Sequence, residues 1–203
     1  MHIRVFPMGP LETNCYLLSE NNEAVVIDPG GNPAAALRHM KDSGLVLARI
    51  LNTHLHFDHI LGNADLAKAT GTAVYASKAD DSLLESTSGT RFGLPPTPAF
   101  LYEDLEEGDI TLLGQPCRVL HTPGHSPGSL SYYFPEAGAV FVGDVLFYRS
   151  IGRSDLPGGS EVVLGASIRS KLYALPPQTY VYPGHGPVTT IGDEMRENPH
   201  YRV

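Results

Sequence analysis

Cysteine is scarce in this chain. Only Cys15 and Cys117 are present, far apart in 203 residues, and neither belongs to a CxxC pair. That excludes a thiolate-based zinc cluster and leaves the plain expectation of two reduced, buried thiols. Positive charge is also in short supply: 14 Lys and Arg stand against 22 Asp and Glu, for a formal net charge of −8. A nucleic-acid surface expects a basic patch, so that class of partner is not anticipated. Part of the negative charge can instead counter bound cations. No apolar run approaches the 18 or so residues that a membrane-spanning helix needs. The opening "MHIRVFPMGPLETN" has no basic region followed by an apolar one, so no signal peptide is expected and the cytoplasm is the default compartment. Nor is there a low-complexity tract. The 21 glycines and 17 prolines are scattered, which reads as many turns between short elements.

What is present suits a single soluble domain over residues 1–203, with 42% hydrophobic and 18% charged residues. "NCYLLSE" and "EAVVIDPG" read as two strands of a hairpin turning at "ENN". "NPAAALRHMKDSG" reads as a helix, with Asn32 as N-cap, Pro33 in the first turn and Gly44 as the stop. "LARILNT" reads as a buried strand, "ILGNADLAKATG" as a helix ended by Gly71, and "TAVYAS" as a strand. Residues 86–100, "STSGTRFGLPPTPAF", read as a surface loop. Strands return in "DITLLG", "CRVLHT", "SLSYYF" and "AVFVGD", followed by the helix "EVVLGASIRSKLYAL" and the strand "TYVYPG". Two similar runs of strands followed by a helix predict two sheets packed face to face with helices outside.

The densest chemistry lies in "NTHLHFDHILGN". Three histidines and an aspartate crowd between His54 and His59, on the loop expected after the "LARILNT" strand. Imidazole nitrogen and carboxylate oxygen are preferred ligands of zinc and similar divalent ions. His54 and His56 are two apart and can point the same way; Asp58 and His59 can reach a second point close by. The spacing therefore looks built for two ions. The rest of the chain adds candidates of the same kind: His125 in the Pro/Gly turn of "HTPGHSPGS", Asp144 ending "AVFVGD", and His185 ending "TYVYPGH". Each falls at or after the C-terminal end of an apolar strand, where loops can converge. His2, His39 and His200 read as surface residues, and His121 is left outside the ligand set.

"THLHFDH", "HTPGHSPGS", "FVGD" and "YPGHGP" together resemble the metallo-β-lactamase superfamily, and "SIGRSDLPGGS" is similar to its short hydrolases grouped with glyoxalase II (hydroxyacylglutathione hydrolase). The resemblance runs from residue 1 to about 193. It implies an αββα sandwich of two mixed sheets, with two divalent ions at one edge: zinc first, with iron and manganese also accepted by such ligands. His54, His56 and His125 would hold one ion and Asp58, His59 and His185 the other. Asp144 would bridge them, and Asp28 in "VIDPG" would support the ligands from behind. Two close ions can lower the pKa of a shared water and polarise a carbonyl, which implies hydrolysis of a small thioester such as S-lactoylglutathione, or of a related ester. Arg153 matches a basic family position that binds a glutathione carboxylate, and Tyr148 follows the "GD" strand as a further candidate substrate contact. The longer glyoxalase II chains carry a C-terminal helical glutathione-binding segment for which no counterpart is expected here, and Gly186 and Pro187 stand where the family has a tyrosine. An iron-dependent glutathione persulfide dioxygenase of the same superfamily, and a metal-binding protein without catalysis, are the alternative readings. The partner implied is a small molecule, with no membrane or nucleic acid; oligomeric state is left open.

Overall fold

The computed structural model describes every residue except Thr87, Ser88, Pro95 and Val203, and omits the side chains of Ser86, Arg91 and Phe92. Its chain divides into two compact units: residues 1–105 with 112–114, and residues 106–111 with 115–203.

The first unit is built on a six-stranded mixed sheet in the order β1-β2-β3-β4-β5-β6: His2–Met8, Thr13–Glu20, Glu23–Ile27, Val46–Leu51, Val74–Ala76 and Tyr102–Asp104. β1, β2 and β3 run antiparallel, and β3 to β6 run parallel. Glu20 pairs with Glu23, so the β2–β3 hairpin turns on Asn21 and Asn22 alone, at φ 47° and 65°. A two-residue loop matched to the strand twist needs positive φ at both positions, and asparagine tolerates it better than most side chains. Helix α1 (Ala34–Asp42) places Ala36 and Met40, one turn apart, in a cluster with Leu17, Val26, Ile50, Leu66 and Val74. Each large apolar side chain buried in this way stabilises the unit by about 1.5–3 kcal/mol. The short helix α2 (Phe57–Ile60) precedes α3 (Asn63–Thr70), which stops at Gly71 in the left-handed conformation, φ 73°. The single helix expected from Ile60 to Gly71 is thus two, and the first begins inside the histidine motif. Helix α4 (Leu83–Ser86) runs into the start of the expected 86–100 loop, and a 3-10 turn at Gly89–Phe92 lies within it; Thr87, Ser88 and Pro95 of that loop lie outside the described residues.

The second unit carries β7 (Gly108–Leu112, which runs one residue into the first unit), β8 (Gln115–His121), β9 (Leu130–Phe134), β10 (Ala139–Gly143), β13 (Tyr180–Pro183) and β14 (Thr189–Thr190), in the order β14-β13-β10-β9-β8-β7. β10 and β13 are parallel neighbours, so their C-terminal ends lie side by side. Between them the chain forms a small hairpin, β11 (Leu146–Phe147) with β12 (Ser150–Ile151), and then helix α5 (Glu161–Ser167), whose continuation over Ile168–Leu172 widens to a π turn. Helix α6 (Ile191–Glu197) closes the unit. Leu120, Val140, Val142, Leu164, Ile168, Leu172, Val181 and Ile191 form its core. Strands β1, β6, β11, β12 and β14 and helix α6 add to the elements expected from the sequence. They are short, edge-lying or polar, and carry little hydrophobic periodicity. Among the described residues no helix is long and apolar enough to cross a membrane.

Candidate functional site

In the first unit two of the four expected ligands, His54 and His59, are braced by one buried carboxylate. Asp28, just past β3, adopts φ 53° and donates its backbone N–H to Leu51 O at the end of β4 (2.9 Å). Aspartate is among the few non-glycine residues that accept this conformation readily. The turn swings its side chain over the start of the histidine motif. Oδ1 accepts from the Thr53 backbone N–H (2.7 Å), and Oδ2 accepts from the Thr53 hydroxyl (2.6 Å) and from His59 Nδ1 (2.9 Å). The same hydroxyl lies 3.0 Å from His54 Nδ1. Since Thr53 gives its proton to Asp28, it accepts from His54. Both imidazoles are thereby held with Nδ1 as the donor and Nε2 as the nitrogen carrying the lone pair.

His54 and His56 stand on the loop after β4, whereas Asp58 and His59 stand on α2, not on a loop as expected. Helical geometry fixes Asp58 and His59 relative to each other, and Asn52 tethers the helix by donating to His59 O (3.1 Å). Asn63 in turn donates to Asn52 (2.8 Å). Thr13, at the start of β2, donates to Asp58 Oδ2 (3.1 Å). The backbone must come very close for this: a Cβ on Gly30 would lie 1.9 Å from Asp58 O. All four expected ligands of this unit are buried. The ring centroids of His54 lie 4.7 Å from those of His56 and 4.1 Å from those of His59. Ligand atoms of His54 and His56, of His54 and His59, and of Asp58 and His59 come within 4.8 Å of each other.

The expected ligands of the second unit come from three strand ends. His125 lies in the turn after β8, closed by the Thr122 N–H on Ser129 O (2.8 Å), and its Nδ1 meets the backbone carbonyl of Arg153 (2.7 Å). Asp144 follows β10 and His185 follows β13; the Gly184 N–H on Gly143 O (2.8 Å) ties those two ends together. Asp144 Oδ2 lies 3.7 Å from His125 Nε2 and 3.7 Å from His185 Nε2. Carboxylate oxygen and imidazole nitrogen of this kind are common donors to divalent ions. Gly152 returns the chain against this point: a Cβ there would lie 1.7 Å from Asp144 O.

The expected substrate contacts are on the segment leaving Asp144. Tyr148 is exposed at the tip of the β11–β12 hairpin, with the Arg149 guanidinium over its ring. Arg153 is also exposed, and its guanidinium is held in bidentate fashion by Asp155 (2.8 Å at both contacts). These hydrogen bonds lower the Asp155 pKa to about 2. Cys15 and Cys117 are both buried and free. Burial pushes the Cys117 thiol up to about 12, and burial together with Asp28 raises Cys15 further. His121 bonds to Pro127 O (2.8 Å), and His39 is half-buried against Arg4 and Phe6. Thr13, Thr53, Asn52 and the Arg153 carbonyl were not marked by the sequence. Thr53 directly precedes the motif, a signal that could have drawn it in; Thr13, 45 positions from Asp58, carried none.

Two mixed sheets with helices, each unit carrying His and Asp side chains of the kind that can hold a metal ion, define the α/β class of the protein and mark it as a candidate metal-binding one. The chain belongs to the metallo-beta-lactamase superfamily, whose profile matches residues 8–185. It is 40% identical to a "Probable metallo-hydrolase YqgX" of Bacillus subtilis, covering 98% of this chain and 97% of that one. It is 37% identical to "Hydroxyacylglutathione hydrolase GloC" of Haemophilus influenzae, again over 98% and 97%. Among solved structures, the BLEG-1 B3 metallo-beta-lactamase superposes with a TM-score of 0.92 at 42% identity, covering 98% of both chains. TTHA1623 in a di-iron-bound form gives 0.89 at 44% identity, covering 97% and 98%. ETHE1 from Myxococcus xanthus gives 0.80 at 29% identity, covering 98% and 84%. The fold is the superfamily's sandwich, and these likenesses support a metal-dependent hydrolase in general terms.

Proposed function

We propose that the protein is a cytoplasmic dinuclear hydrolase of a thioester such as S-lactoylglutathione, or of a related small ester. The observation that carries this reading is the full-length 37% identity to the Haemophilus influenzae hydroxyacylglutathione hydrolase. The two braced donor sets support it. In this reading His54, His56 and His125 would hold one ion, Asp58, His59 and His185 would hold the other, and Asp144 would be shared between them. When bound, such ions activate a water and polarise a carbonyl near neutral pH. Zinc, iron and manganese all suit the donors, and the di-iron-bound relative supports iron as much as its chemistry supports zinc.

The chain's own residues orient and exclude. Asp28 and Thr53 fix His54 and His59, and the Arg153 carbonyl fixes His125. Thr13 holds one oxygen of Asp58, which sets the direction of the other. A thiolate leaves without help from a general acid, and a metal-activated water would serve as the nucleophile, so neither cysteine is needed; both thiols are held protonated by burial. Tyr148 and Arg153 are the proposed substrate contacts. A substrate carboxylate must compete with Asp155 for the Arg153 guanidinium, so its contribution to binding is modest.

A second reading, an iron-dependent persulfide dioxygenase, is supported by the likeness to ETHE1. The test is turnover of S-lactoylglutathione by metal-analysed protein, beside simple esters and a β-lactam, with an oxygen electrode following glutathione persulfide in parallel. Thioester hydrolysis with about two metals per chain, the number the paired-ion chemistry requires, is the expected result. Oxygen uptake with iron bound and no thioester turnover would overturn it in favour of the dioxygenase.

A further inference from the structure

We infer that Glu194 is a positioning residue: its buried carboxylate pins the Leu146–Ile151 hairpin, and through Phe147 the ring of His185. The inference rests on the reading of His185 as a metal ligand.

Glu194 lies on α6 with no exposed surface, yet it is a carboxylate. A buried charge of this kind is tolerated only when it is fully bonded. Its Oε2 accepts from the Arg149 backbone N–H (3.0 Å) and from Asn198 Nδ2 (2.8 Å). Its Oε1 accepts from the Thr189 hydroxyl (2.6 Å) and lies 3.7 Å from the Arg149 guanidinium. That guanidinium donates to Asp193 O (2.8 Å), and Asn198 also donates to Ser150 O (3.0 Å). These bonds converge on the two-residue turn of one hairpin. Phe147 pairs with Ser150, leaving Tyr148 and Arg149 as the turn, and Arg149 sits at φ 55°. A long side chain in that conformation is strained and persists only where its surroundings hold it.

The hairpin so held starts two residues after Asp144 and ends just before Gly152, whose backbone abuts Asp144 O. Between those points Phe147 packs edge-on against His185, with centroids 6.4 Å apart and planes at 62°. His185 is half-buried. Phe147 therefore limits where its ring can turn, and Glu194 determines where Phe147 stands. Partners one step removed from a ligand typically tune metal affinity by about 10- to 100-fold.

The test is zinc binding to the full chain, read by competition with a coloured chelator, with cobalt absorption as a second signature of ligand geometry. His185→Ala first identifies the binding step that depends on His185. Glu194→Leu should weaken that step about tenfold or more and leave the other unchanged, and Phe147→Ala should do the same. Glu194→Gln should rescue most of the loss, because its amide oxygen can accept from Arg149 and Asn198 while its NH2 donates to the Thr189 hydroxyl. Should Glu194→Leu fail to fold, Phe147→Ala and Glu194→Gln decide. Equal weakening of both steps, no weakening by Phe147→Ala, or a Gln variant as impaired as Leu would each overturn the inference. If His185→Ala leaves both steps intact, the ligand reading fails and the inference with it. If His185→Ala abolishes a step that Glu194→Leu and Phe147→Ala leave intact, the inference alone fails.

Discussion

The two donor-bearing regions solve one problem with different means. In the first unit four donors arise within six residues, all buried, and a single side chain, Asp28, braces two of them directly or through Thr53. In the second unit three donors come from three strand ends, and two of them, Asp144 and His185, are only half-buried. There the bracing is mostly main chain: the Arg153 carbonyl on His125, and the Gly184-to-Gly143 bond between strand ends. A local cluster needs a dedicated side chain to keep its crowded rings apart. Dispersed donors inherit their positions from the sheet, and parallel neighbours already deliver their ends together.

The contrast is sharpest in what substitution can remove. Asp28→Ala should have the largest effect. It leaves buried donors on Thr53 and His59 without their acceptor, at about 1–3 kcal/mol each, and should weaken metal binding by about 10- to 100-fold. Chelator competition and thermal unfolding of the same samples would check both. Normal metal affinity in this variant would refute the view that one side chain organises the first cluster. Close backbone approaches come next, and here the two units should behave alike. Gly30→Ala would place a Cβ 1.9 Å from Asp58 O, and Gly152→Ala one 1.7 Å from Asp144 O. The obstruction is backbone in each case, so each should cost about 1–3 kcal/mol or more and lower metal content. If only one is harmful, the units differ in rigidity as well as in bracing.

The same contrast explains what the sequence revealed. "THLHFDH" was legible because its donors are adjacent, and "FVGD" and "YPGH" because an apolar strand announces each one. The hairpin at Asn21–Asn22, the helix stop at Gly71 and most central strands were legible through turn chemistry and hydrophobic runs. The helical placement of Asp58 and His59 was hidden: α2 has four residues, too few for any periodicity to register. Thr13 and the Arg153 carbonyl were hidden for another reason. A hydrogen bond across 45 positions, or one made by a main-chain atom, imposes no pattern on neighbouring residues.

Smaller effects sharpen the comparison further. Cys15 and Cys117, one in each unit, should both resist a disulfide reagent in native protein at pH 8, because burial raises each thiol far above its ordinary value of 9.0. Reaction should follow only on unfolding. Rapid labelling of Cys15 alone would mean that the first unit opens independently.

The smallest expected effect separates the Arg153 side chain from its carbonyl. Arg153→Ala keeps the carbonyl that orients His125, so metal content should stay at the wild-type level while KM for an anionic thioester rises a few-fold at most, within about 1 kcal/mol for an exposed charge. Loss of metal would show that the guanidinium, not the main chain, secures His125. The pair with Asp155 also has a defined pH window. The Asp155 carboxyl is lowered from 3.8 to about 2 by Arg153. A group with a depressed folded-state pKa contributes its stabilisation above the unfolded value and loses it as pH falls through the folded one. Asp155→Asn should therefore differ from wild type by a small, constant amount in Tm from pH 5 to 8, and the difference should fade as the pH drops from 4 toward 2. Both groups are exposed, so raising the salt should shrink the difference at any pH. A difference that grew on acidification would reverse the sign and assign Asp155 a partner other than Arg153.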